Sequence, residues 1–198
     1  MQNSTDKVEP ARFAHKFDEF IDDAMAAALG RLSVSFQVFE NTLADLLRTA
    51  FAEIASLEKI ESLTSNRKIE EGRKVLKTAR GQFAIRPVRF KGRFPLLMNH
   101  RTASDAMDDC EQAFAALDGF LLHTGKLLNY RNSFIHGRLD VREGKLTFVG
   151  KKGVVSGSTA EFTRKKQEVL ATAFTGLLAA QGVRAALEYL TREQPVER

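Results

Sequence analysis

Arg131, Asn132 and His136, in the stretch "YRNSFIHGRLDV" (130–141), are the residues whose types and spacing best suit chemistry. A histidine titrates at about 6.5 when unperturbed, so it can take and return a proton near neutrality. An arginine keeps its charge and matches phosphate geometry, so it can neutralise charge gathering on a phosphoryl group. An asparagine donates and accepts, and can orient the imidazole or bind a ribose or phosphate oxygen. Helical geometry puts Asn132 and His136 on nearly the same face. Arg131 lies further round, with a stem long enough to bring its guanidinium over the same region.

These residues end an apolar helical stripe. Ala103, Met107, Cys110, Phe114, Leu117, Leu121, Thr124 and Leu128 recur at spacings of four and three, the period of a helix packed on others. The same rhythm places Arg131 where a hydrophobe is due. A buried guanidinium needs an anion. Two sources are open: a carboxylate of this chain, or a phosphate from outside. Thr124, the polar member of the stripe, is expected to bond back to a carbonyl one turn earlier. Thr102 is the expected cap, with Asp105 favourable to the helix dipole.

Helical periodicity dominates the remainder. Phe13, Phe17, Phe20, Ile21, Ala24, Met25 and Ala28 predict a first helix ending near Gly30. Leu32, Phe36, Phe39, Leu43, Leu46, Leu47, Ala50, Ile54 and Leu57 predict a second. A more polar third starts after a Ser65 or Asn66 cap and fades near Gly81. The segment "GQFAIRPVRFKGRFPLLMNH" (81–100) has no helical period and reads as loop or irregular extended chain. After Gly137, "RLDVREGKLTFVG" alternates around Glu143–Gly144, which predicts a short β-hairpin. Ser158 and Glu161 form a capping box for a last long helix marked by Phe162, Val169, Leu170, Phe174, Leu177, Leu178, Leu187 and Leu190. The expected architecture is all-α. It is a single domain over 1–198, a bundle of about five helices with a hairpin insertion at 138–155, a disordered stretch at 1–9 and a frayed tail at 193–198.

The net charge of +5 is unevenly spread. Between Arg67 and Arg93 stand ten Lys or Arg against Glu70 and Glu71 alone, interleaved with Phe83 and Phe90. Such a stretch suits a polyanion, and Arg86, Arg89, Lys91 and Arg93 are its candidate RNA-binding residues. The competing reading is a solvated helix face and loop. One cysteine excludes an internal disulfide, and histidines scattered at 15, 100, 123 and 136 show no metal-ligand spacing. No metal or other cofactor is expected. Apolar runs fall short of the roughly 20 residues of a bilayer span, and the first residues lack the apolar core of a secretory signal. The expectation is a cytoplasmic protein with no membrane association. Cys110 reads as a small buried hydrophobe, and His123 as an ordinary surface or packing histidine.

A bare Arg-x4-His pair is expected by accident about 0.3 times in a chain of this composition, whereas "RN-x-x-x-HG" is expected roughly 0.0007 times. With that motif closing a long helix of an all-helical chain, the sequence resembles the HEPN superfamily over roughly residues 25 to 190. The helix "LGRLSVSFQVFENTL" with Glu40 in its middle, and the hairpin after the motif, fit the same relatives. The resemblance implies a compact bundle that dimerises, bringing two motifs to a shared cleft. It implies Arg131 and His136 as catalytic residues with Asn132 assisting, and Glu40 as a supporting residue or simply the carboxylate that pairs with Arg131. Many members are metal-independent endoribonucleases of toxin–antitoxin, phage-defence or RNA-processing systems, so RNA, a homodimeric partner and a cognate antitoxin are the expected partners. Others are non-catalytic adaptors or nucleotide-binding modules. A purely structural dimer with Arg131 satisfied by Glu40 is the third reading.

Overall fold

A computed structural model describes residues 21–52, 60–82, 103–142 and 145–192, apart from the side chains of Ala103, Ser104 and Arg192. The expected disordered start at 1–9, the tail at 193–198, most of the irregular segment at 81–100 and the Thr102 cap lie outside those residues, as do Phe13, Phe17 and Phe20. Within them the protein is predominantly helical, with a small antiparallel sheet. Four α-helices are described: α1 (Asp23–Phe51), α2 (Ser65–Gln82), α3 (Ala103–His136) and α4 (Thr159–Arg192), with a 3-10 turn at Ile60–Ser62.

α1 begins where Asp22 Oδ1 accepts from the Met25 amide at 2.7 Å, and it runs straight through Gly30. The expected helix end at Gly30 is therefore absent. A lone glycine costs a helix interior only about 1 kcal/mol, and the flanking Met25, Ala28, Leu32 and Phe36 are all buried. Downstream, Phe39, Leu43, Leu46, Leu47 and Ala50 are buried on the predicted stripe. α1 is described to Phe51, and Ile54 and Leu57 of the predicted stripe lie outside the described residues.

α4 packs most extensively on α1 and also on α3, and α2 packs on α3. The predicted stripe of α4 is split. Phe162, Val169, Leu187 and Leu190 are buried, whereas Leu170, Phe174, Leu177 and Leu178 are 40–62% exposed. The cause is a close crossing: a methyl added at Gly176 would run into the Phe120 ring. Gly176, Ala179 and Ala180 consequently face inward, and the large side chains of that stretch point out. By length and composition alone, Thr159–Thr191 is apolar enough to cross a bilayer. In the bundle, its inner face is occupied by α1 and α3.

Three strands follow α3: β1 (Arg138–Arg142), β2 (Lys145–Gly150) and β3 (Gly153–Gly157), in the order β1-β2-β3. The predicted hairpin is thus the first half of a three-stranded meander. Leu139 lies opposite Phe148, and Val141 opposite Leu146, on the face that meets the helices. Phe148 packs edge-on against Phe134 of α3 at 4.9 Å and against Phe162 of α4 at 6.1 Å. This aromatic trio fixes the sheet to the end of α3 and the start of α4. The start of α4 carries the predicted capping box. The Ser158 amide donates to Glu161 Oε2 at 2.7 Å, and the Glu161 amide donates back to Ser158 Oγ at 3.3 Å.

Candidate active site

α3 carries the motif to the edge of the molecule. Cys110, Phe114, Leu117, Leu121, Thr124 and Leu128 are buried in sequence along it. Thr124 departs from expectation, because its hydroxyl makes no hydrogen bond among the described residues. The next stripe position is Arg131, whose side chain is 25% exposed. His136, on the last turn, is exposed.

The guanidinium of Arg131 ties the predicted residues together. Nη1 donates to Asn132 Oδ1 at 3.1 Å and stands 3.3 Å from His136 Nε2. Nη2 lies 3.1 Å from Glu40 Oε2 on α1. A guanidinium only donates, so Nε2 is the accepting nitrogen. Asn132 accepts from the arginine, and the contact to the imidazole expected from sequence is not formed among the described residues.

Glu40 is held from a second side, since its Oε1 accepts from Ser65 Oγ at 3.0 Å. Ser65 opens α2, where the Thr64 carbonyl accepts from the Lys68 amide at 2.9 Å. Thr64 is therefore the residue that leads into the helix, rather than Ser65 or Asn66. Beside Arg131 is a pocket of about 330 Å³ lined by Glu40, Thr64, Ser65, Asn66, Leu128, Arg131 and Asn132. Its lining is mainly polar, with Leu128 as the one apolar member. From sequence, Ser65 and Asn66 signal only a helix start, so their place in the wall could not be read locally.

Other titratable groups sit apart. Tyr130 stacks on Phe36 with Lys165 Nζ 4.8 Å from its ring, and burial, with the charges of Glu168 and Glu161, pushes its phenol up to about 12. It is a packing residue at neutral pH. Burial likewise pushes the Cys110 thiol up to about 11, with Asp109 adding to the effect. An exposed His123 lies 3.7 Å from Glu168. Among the described residues no group of three or more His, Cys, Asp or Glu could hold a metal ion.

The described half of the basic segment is largely engaged within the fold. Arg73 pairs with Asp118 at 3.0 Å, Lys74 with Glu71 at 3.7 Å, and Arg80 with the buried Glu111. Lys68 is buried. Arg86, Arg89, Lys91 and Arg93 lie outside the described residues. Against family models, curated proteins and solved structures alike, the chain finds no match.

Proposed function

We propose that the protein is a metal-independent endoribonuclease of HEPN type, acting in a toxin–antitoxin or phage-defence setting. The observation that carries this reading is the hydrogen-bonded Arg131–Asn132–His136 cluster at an exposed helix end, beside an open polar pocket. The ribose 2′-hydroxyl beside the scissile phosphate attacks phosphorus while His136 Nε2 takes its proton. The new bond is 2′-O–P, the bond that breaks is P–O5′, and the departing 5′ oxygen takes up the proton carried by His136 and leaves as a hydroxyl. Arg131 stabilises the doubly charged phosphorane-like transition state. Asn132 keeps the guanidinium aimed at the phosphate. The products are a 2′,3′-cyclic phosphate and a 5′-hydroxyl.

Two copies of the chain bring their motifs to one cleft in this reading. The outward apolar stripe of α4, with Phe174 62% exposed, supports association. The enzyme belongs in the cytoplasm, with RNA as substrate and an antitoxin as its regulator. A second reading has its own observation: the Arg131–Glu40 pair already satisfies the arginine, as a purely structural dimer requires, whereas a non-catalytic HEPN adaptor or nucleotide-binding module would use Arg131 to grip a phosphate at the pocket beside it.

The deciding experiment is RNA cleavage in excess chelator by the parent and by His136→Ala. The expected loss is about a hundredfold or more, the range for a general acid–base. A His136→Ala protein that cuts as fast as the parent overturns the proposal. Mixing Arg131→Ala with His136→Ala dimers tests the shared cleft. Partial recovery is expected, and a monomer by sedimentation at micromolar concentration contradicts it.

A further inference from the structure

We propose that the β2–β3 turn, Lys151–Lys152, grips the RNA backbone next to the scissile phosphate. The inference rests on the ribonuclease reading and assigns that site a binding element. Its first support is placement. Gly150, which immediately precedes the two lysines, is packed on the motif helix. A methyl added there would stand 2.7 Å from Ser133 Cα and 2.9 Å from Ser133 Oγ. Gly137, which immediately follows His136, is packed on the same strand end. A methyl there would lie 3.2 Å from the Gly150 amide nitrogen and would collide with the Ser133 carbonyl.

Two close approaches, one on each side of His136 in sequence, therefore pin the turn against the last helical turn of the motif. Lys151 is the residue after Gly150, so its Cα is only about 3.8 Å further along the chain. The turn itself is tight. Gly150 pairs with Gly153 across it, and Gly153 takes a φ of +148°, a conformation that a side chain would strain.

The second support is charge. Lys151 and Lys152 are exposed, and neither has an acidic partner among the described residues. Most other cations of this region are spoken for: Arg142 by Asp140 at 3.1 Å, Lys145 by Glu161 at 3.6 Å and Lys165 by Glu168. Arg138, also exposed, begins β1 opposite Val149 and extends the same positive edge. The nearby acids Asp140 and Glu40 are each held by an arginine. A strand of RNA leaving Arg131 past His136 thus meets two free ammonium groups on a rigid turn. Such contacts add affinity without reading bases.

The test is salt-dependent binding of a labelled single-stranded RNA to His136→Ala protein, with and without Lys151→Gln/Lys152→Gln. Each phosphate contact contributes about 0.7 to the slope of log K against log salt for single strands, so the double variant should flatten it by about 1.4. Lys151→Arg/Lys152→Arg should keep the parent slope. Arg184→Glu removes the same two units of charge at the level of Cys110, roughly 40 Å back along α3, and should not reproduce the change. In the active background the lysine variant should lose kcat/KM through KM. An unchanged slope, or an equal change in Arg184→Glu, overturns the inference while leaving cleavage by the parent intact. A flattened slope in a protein that cuts no RNA would keep the turn as an RNA contact and remove the nuclease reading instead. Absence of RNA binding by the His136→Ala parent overturns the inference as well.

Discussion

Two arginine–glutamate pairs join α3 to its neighbours, Arg80–Glu111 towards its start and Arg131–Glu40 near its end, and they are built differently. Glu111 is 6% exposed, and its second oxygen has no partner among the described residues. Glu40 is 21% exposed and has Ser65 on its other oxygen. Arg131 spends its remaining hydrogen bonds on Asn132 and His136 and faces a pocket. Without its arginine, Glu111 is a buried carboxylate left alone, whereas Glu40 still has a hydroxyl and water. One pair therefore serves the fold, and in the proposed mechanism the other holds Arg131 beside His136 at modest cost to stability.

The largest expected effect tests the first half of that contrast. Arg80→Met strands the Glu111 charge and should destabilise by about 3 kcal/mol, the low end for breaking a buried pair because Arg80 is itself partly exposed. Denaturant unfolding measures this. Next comes activity at the other end. Arg131→Ala, like His136→Ala, should cost a hundredfold or more in cleavage rate, about 2.7 kcal/mol of barrier. A smaller change is expected in stability there. Glu40→Gln and Arg131→Ala should each shift unfolding by less than about 1 kcal/mol, as for partly exposed pairs. A loss as large as that of Arg80→Met would make Arg131–Glu40 structural and favour the non-catalytic reading.

The smallest effect concerns the exposed carboxylate of the α4 cap. The Ser158 backbone amide, then its hydroxyl and Lys145, hold the Glu161 carboxyl below its ordinary 4.5. Its folded value is the lower one, so its stabilisation is complete above about 4.5 and disappears as pH falls through the folded value. Glu161→Gln should remove that part of the acid dependence. An unchanged stability profile between pH 5 and 2 would show that the cap contributes nothing there.

Arg131 was legible from sequence because it interrupts a stripe whose period was otherwise unbroken from Cys110 to Leu128. A carboxylate of this chain was legible as one of two possible anions, Glu40 entered only through the resemblance, and the packing of α1 is what brings it to 3.1 Å from Arg131. The pocket wall at Thr64–Asn66 was hidden, since a cap signal describes a helix and not what the helix abuts. β3 was hidden too: "GVVSG" is short, glycine-flanked and without clear alternation. On α4 the hydrophobic pattern misled, because the close crossing at Gly176 and Phe120 favours small residues inside and turns leucines outward. The placement of Lys151 and Lys152 depends on two glycine contacts between elements distant in sequence, which no local pattern encodes.

In the proposed mechanism the 2′-hydroxyl, activated at His136 and with its transition state stabilised at Arg131, cuts the RNA. The most direct measurement offers the parent protein two RNAs in excess chelator, one unmodified and one carrying a 2′-O-methyl group at the mapped cleavage position. The first is expected to be cut to a 2′,3′-cyclic phosphate and a 5′-hydroxyl, and the second to survive. Cleavage of the methylated RNA at the same position, or a 3′-hydroxyl end on the unmodified one, would contradict this mechanism.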